Sequence, residues 1–372
     1  MATVTKSIGT SSRDYSTINA WEADLNSASI YSNGDTAVGE MYADSTFTGA
    51  TSTIENGSAI GGSAGHDLAL IKLTVHADSR HDGTAESGAL LKPTADSGHN
   101  QGIIRINVDN VIVEWLDISM DSLDSKNTNK AIVLTGTNDD CIIRNMLIHD
   151  KNGNPGGTGP MGIHVIGAGA SSDTVTMQNN IIYNLVETGG DTAQGINTNQ
   201  WAGTASLYNN TIYNIDAQGS SKQAWGLVYG NVASAVINVK NNLVAKMVAD
   251  GAASNERAYQ KFNGSSTENA SNNLSDDTVT TSAYEAPGSN SLEDKTLAEI
   301  SFVSTTGGSE DLHIDADSDC VDAGVDLGTT NGVEIDINGR NRDSQGDTWD
   351  IGAHEFVADA DTTGAAFIMF VD

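Results

Sequence analysis

Six ionisable side chains fall within neighbouring repeats in the middle of this 372-residue sequence: His149, Asp150, His164, Glu187, Asp191 and Asp216. Two carboxylates flanking a glycosidic bond can hydrolyse it, one protonating the leaving oxygen and the other acting as base or nucleophile. A basic side chain beside a cation-neutralised uronate can instead eliminate across it. His149, Glu187, Asp191 and Asp216 therefore form the candidate catalytic set. His149, Tyr183 and Tyr213 are spaced 34 and 30 residues apart, so stacking of the repeats would align them in one outward column. Aromatic columns suit sugar rings, which makes Tyr183, Tyr213 and the nearby His164 candidate glycan-binding residues. Asp315, Asp317 and Asp319 imitate the start of a Ca²⁺ loop, with Asp326 at the twelfth position. Cys320 stands where the loop's sixth-position Gly belongs, and the terminal Glu is missing. Ca²⁺ is the cation these aspartates would take.

The elements that must position these residues are set by the repeat. Segments ending in Ile/Leu/Val recur at Val111, Cys141, Val175, Ala205 and Ile237, with a degraded copy at Asn269. Anchored at Glu114, Asn145, Asn179, Asn209, Asn241 and Asn272, the spacings are 31, 34, 30, 32 and 31. A fainter series from Ile103 through Ile132, Ile163, Ile196 and Leu227 to Tyr259 keeps the same period. Two series with one period mean a solenoid. No helical pattern of ten residues fits between them, which excludes leucine-rich and ankyrin-like repeats and leaves a β-solenoid. Strand parity puts Cys141, Ile143, Val175, Met177, Leu207, Ile237 and Val239 on one face as a continuous core. The Asn column at 145, 179, 209, 241 and 272 reads as left-handed turns whose amides stack into a ladder.

Composition narrows the partners. The formal charge is −31, from 18 basic and 49 acidic residues. Sparse, scattered Lys and Arg exclude a phosphate-binding nucleic-acid surface and an anionic membrane surface. Two distant cysteines, Cys141 and Cys320, make neither a disulfide framework nor a zinc spacing, so both are expected as free thiols. Residues 1–20 lack the apolar segment of an ordinary secretory signal. The apolar run Ala365–Val371 is far too short to insert in a membrane. It reads as a docking strand for a neighbouring subunit, or as a plug on its own coils.

Repeats ending in Asn-Asn-Ile/Thr-Ile-Tyr-Asn resemble those of right-handed parallel β-helix proteins of the pectate-lyase-like superfamily, of the kind found in bacterial surface and phage virion proteins. The opening Arg13-Asp-Tyr-Ser-Thr-Ile-Asn-Ala-Trp is similar to their capping segment. Asp336-Ile-Asn-Gly-Arg-Asn-Arg followed by Asp350-Ile-Gly-Ala-His-Glu-Phe is similar to their closing motif. The resemblance implies an all-β, right-handed parallel β-helix with coils of about 30–34 residues and caps at both ends. Residues 1–100 read as the N-terminal cap and irregular first coils, with a helix over Ser16–Leu25. Residues 101–275 read as the regular β-helix. Residues 276–356 read as C-terminal coils and closing motif, with a helix over Leu292–Glu299, and residues 357–372 as the tail. Asp336, Asn338, Arg342 and Asp350 would tie the closing loop together. Two functions fit. One is a non-enzymatic surface or virion component (fibre, spike or decoration protein) that contacts a polysaccharide as a homo-oligomer or larger assembly. The other is an extracellular polysaccharide lyase or glycoside hydrolase.

Overall fold

The computed structural model describes residues 1–49, 52–56, 67–95, 98, 101–123, 128–136, 139–153, 159–218, 222–250, 255–262, 264–279, 281–344 and 348–358. The tail run Ala365–Val371 lies outside them. The chain winds as a parallel β-solenoid of about seven turns. At one strand spacing per turn the shaft is about 34 Å long. Three sheets of nine, eight and seven strands form its walls, and every strand pair within them is parallel.

Six successive coils, from the one that opens with Leu70–Val75 to the one that ends with Glu256–Lys261, contribute one strand to each wall, where the repeat itself showed two strand series. In one coil these are Cys141–Arg144, Leu147–Asn152 and Met161–Val165. The corner between the first two is the Asn column. Asn145, Asn179, Asn209, Asn241 and Asn272 all have φ between 51° and 56°, the left-handed region where Asn is tolerated better than other non-glycine residues. The register moves two anchors by one residue. Glu114 pairs with Arg144, so Trp115, at φ 66°, heads the column. Ile104, not Ile103, pairs with Ile132.

The ladder of amides is present, one residue along from the turn column where the repeat placed it. Asn180, Asn210, Asn242 and Asn273 are fully buried. The Asn180 amide donates to Asn210 Oδ1 at 2.9 Å, Asn210 to Asn242 at 2.9 Å and Asn242 to Asn273 at 3.1 Å. The turn asparagines mostly point the other way. Asn145 donates to the carbonyls of Ile335 and Asp336, Asn179 to Val333 and Ile335, Asn241 to Val325 and Asn272 to Ala323. They clamp the C-terminal segment against the shaft.

That segment lies along the flank of the eight-stranded sheet rather than only over the end. The sheet is therefore apolar on both faces. Its inward side chains, such as Ile148, Ile182, Ile212 and Val244, join the shaft core. Outward, Leu147, Ile181, Tyr183, Tyr213 and Leu243 form a second core with Ile300, Leu312, Ile314, Ile337 and Ile351 of the segment. Arg342 is fully buried at this seam. Its guanidinium pairs with Glu355 at 2.6 Å and donates to Asn179 Oδ1 and to the carbonyls of Gly352 and Ala353. Asp336 and Asp350 accept from the backbone N–H groups of Asn338, Arg340 and Glu355, and of Asp322 and Phe356. The closing motif thus works as a buckle.

Two helix assignments change. The N-terminal helix spans Ile18–Ala23 rather than Ser16–Leu25 and is capped by Thr17, whose hydroxyl accepts from the Ala20 N–H. Ile18, Trp21 and Leu25 are buried beneath it, as the pattern required. Leu292–Lys295 is a strand, since Leu292 pairs with Leu274 and extends the eight-stranded sheet. Helix follows only at Leu297–Ile300, where Thr296 and Glu299 form a capping box. Both cysteines are free and buried.

Candidate functional site

The eight-stranded sheet aligns His149 with Tyr183 and Tyr183 with Tyr213, so the column exists. It is not an open platform. The three residues are 1–2% exposed. The His149 and Tyr183 rings stack on each other at 5.3 Å, and Phe302 of the C-terminal hairpin packs edge-on to Tyr213 at 5.5 Å. The hairpin of Phe302–Ser304 and Asp311–Ile314 covers the aromatic faces because Tyr213 belongs to the second core.

What remains open is a cleft of about 700 Å³ at the edge of this cover. Its floor is His149, Asp150 and Tyr183. Glu86 stands on one wall and Glu310 and Asp311 on the other. The Asp117 carboxylate bonds His149 Nε2 at 2.8 Å, and Asp150 bonds Nδ1 at 2.8 Å. Burial opposes charge on this imidazole, yet the hydrogen bonds to Asp117 and Asp150 prevail and push its pKa up to about 9. His149 is thus an imidazolium at neutral pH, with both N–H groups donating. Burial works against Asp150 as well, but His149 holds its carboxyl below the ordinary value. Burial first, then the surrounding carboxylates, push the Tyr183 hydroxyl well up, so it stays protonated. Asn184 bridges the two sides, donating to Asp150 Oδ1 at 3.0 Å and to Glu310 Oε1 at 2.7 Å.

The expected catalytic set does not line the cleft together. Of its members only His149 does, and both its ring nitrogens are engaged by Asp117 and Asp150. Glu187 is fully buried, its Oε1 accepting from the Gly189 N–H. It pairs in register with Ala217, whose side chain belongs to the shaft core. Asp191 accepts from the Thr192 N–H, and Asp216 from the Gln218 amide. Burial raises the Asp216 pKa. His164 sits on the seven-stranded sheet beside Asn197. Burial, with Lys130 nearby, lowers its pKa to about 4.

Asp315, Asp317 and Asp319 do not converge. Asp315 accepts from the Ala316 N–H and Asp319 pairs with Lys295 at 2.6 Å, while Asp326 serves its own turn at Gly328. Among the described residues no group of three or more His, Cys, Asp or Glu side chains could hold a metal ion. No described helix is long and apolar enough to cross a membrane.

Sequence reasoning missed Asp117, Asn184 and Glu310. A signal for Asn184 existed: Tyr183-Asn184 and Tyr213-Asn214 repeat, and Asp150, Asn184, Asn214 and Lys246 share a left-handed φ of 55–59°. They form a second turn column. Glu310 reaches Asn184 across 126 residues with no periodic cue.

The His149 site sets a pH dependence. A histidine whose folded pKa exceeds its unfolded value of about 6.5 stabilises fully below pH 6.5, and the gain disappears as pH rises through the folded value. His149→Gln is therefore expected to cost about 2–3 kcal/mol more at pH 6 than at pH 10. Urea unfolding of both proteins at the two pH values checks this; a deficit independent of pH would mean the imidazole is neutral.

Comparison with known proteins finds no family model that matches this chain and no curated protein that matches it.

Proposed function

We propose that this chain is a non-enzymatic β-helical component of a cell surface or virion that holds a saccharide in the His149–Tyr183 cleft. The observation that carries the reading is the state of the cleft's ionisable groups. Both nitrogens of His149, both oxygens of Asp150 and both oxygens of Glu310 are spent on structural hydrogen bonds. A site committed in this way is built to present fixed donors and acceptors, not to move protons. The repeat and closing motif, similar to those of the pectate-lyase-like superfamily, support an extracellular or virion setting.

A second reading, glycoside hydrolysis, is favoured by one feature. Two acceptors on one Asn184 NH₂ place the Asp150 and Glu310 oxygens about 5 Å apart, in the range of a retaining carboxylate pair. Against it, both oxygens of Asp150 and both of Glu310 are held by hydrogen bonds, which leaves neither carboxylate an open oxygen to attack or protonate a sugar. The test is a panel of amino-sugar, acidic and neutral polysaccharides with and without Ca²⁺, read for binding, new reducing ends and ultraviolet-absorbing unsaturated sugar. Binding without product is the expected result. Reducing ends that vanish in Asp150→Asn and Glu310→Gln would replace the proposal with the second reading, and unsaturated products would replace it with a lyase.

A further inference from the structure

We propose that the cleft selects amine-bearing sugar units over neutral or uronic ones, because an uncompensated carboxylate and an unpartnered tyrosine hydroxyl open into it together. The inference rests on the saccharide-binding reading above and names the chemistry of its ligand.

Charge on the cleft is unbalanced in a specific way. Asp117 and Asp150 share a single cation, His149. Glu86 and Asp121 share another, Lys92. Asp311 is paired with His313. Glu310 is only 8% exposed, and among the described residues no cation reaches it. Its partners are neutral: the Asn184 amide and the Gly308 N–H. A buried carboxylate without a counter-ion is costly, and a ligand ammonium entering the cleft would remove that cost.

Tyr183 is the second, independent observation. The residue is only 2% exposed, and it lines the cleft. Its contacts are the stack on His149 and the fields of Asp150, Glu310, Asp117 and Asp311, with no hydrogen bond among the described residues. The hydroxyl, able both to donate and to accept, opens onto the cleft at the edge of an otherwise buried ring, as a sugar hydroxyl requires. The remaining lining adds the hydroxyls of Thr84, Ser304 and Ser309, with Ala85 and Val303 as small apolar contacts. A lysine side chain needs an apolar groove for its stem. A sugar ring carrying one ammonium matches hydroxyls around a carboxylate better. Uronates would meet like charge.

Isothermal titration with four probes of equal length tests the assignment: a glucosamine oligomer, its N-acetylated form, an oligogalacturonate and oligolysine. The glucosamine oligomer is expected to bind at least about tenfold more tightly than each of the other three. Glu310→Gln should remove most of that preference, and Tyr183→Phe should weaken glucosamine binding severalfold while thermal unfolding confirms that both variants fold. Equal affinity for the glucosamine and N-acetylglucosamine oligomers would overturn the amine preference and leave the saccharide reading standing. Oligolysine binding as tightly as the glucosamine oligomer, or binding untouched by Glu310→Gln, would show attraction to the acidic surface at large and overturn the proposal. Binding of none of the four would also overturn it; if the polysaccharide panel then binds, the saccharide reading survives alone, and if nothing binds, both fail.

Discussion

Arg342→Ala is expected to lower the unfolding free energy by about 3–5 kcal/mol, the usual result of stranding one half of a buried ion pair. Four acceptors lose their donor at once: the Glu355 carboxylate, Asn179 Oδ1 and the carbonyls of Gly352 and Ala353. Burial already pushes the Glu355 carboxyl up to about 7 beside the guanidinium. Without Arg342 it rises further, so Glu355 takes up a proton to fold. A carboxylate with a raised folded pKa loses stability as pH climbs from its unfolded value through the folded one. The native protein loses this stability too up to about pH 7, where its own Glu355 ionises, so the deficit of the variant should deepen above about pH 7. The damage should also be local. The shaft core does not include Arg342, whereas the seam under the C-terminal segment depends on it. Limited proteolysis at neutral pH should cut within residues 296–356 first, while the far-ultraviolet circular dichroism of the shaft persists. Loss of both together would mean that the shaft cannot stand without its flank.

Asn210→Ala is expected to cost about 4 kcal/mol, and Asn209→Ala about 1–2 kcal/mol. The two residues are adjacent, fully buried and identical in type. Their bonds differ. The Asn210 side chain accepts from the Asn180 N–H and amide and donates to Asn242 Oδ1 and the Met177 carbonyl, at 2.9–3.2 Å. Removing it strands buried polar groups on two neighbouring coils. Asn209 makes contacts of 3.4–3.5 Å with Asp350, Gly352 and Asn241, so its loss is mainly the preference for left-handed backbone. Denaturation midpoints of the two variants decide this. Equal midpoints would remove the ladder from the account of stability.

The same pair shows how far sequence reading reaches. A period of 30–34 residues, two strand series and an Asn column were legible because each coil repeats the same local problem, and repeated problems leave repeated residues. Core parity followed from the alternation of a strand: every inward residue named, from Cys141 to Val239, lies in the shaft core. Which asparagine of each pair turns inward was not legible. Both are Asn, and the choice depends on what lies outside the corner, namely the carbonyls of residues 323–352. The short helix at Leu297 was hidden for a related reason, since Leu292–Lys295 is made a strand by its neighbour across the sheet.

The cleft lies further still from the sequence. Its floor comes from His149 and Tyr183, one wall from Glu86 and the other from Glu310. The sequence reading placed His149 in the candidate catalytic set and in an outward column, and the tertiary structure made it an imidazolium locked between Asp117 and Asp150. Composition and period determined that this chain is an acidic β-solenoid with a polar corner and an apolar interior. Which polar residues meet, and in what charge state, was decided when the C-terminal segment lay back along the shaft. Contacts spanning up to 191 residues occur once and leave no period to read, and the burial they impose is what sets the pKa values and partners of the site.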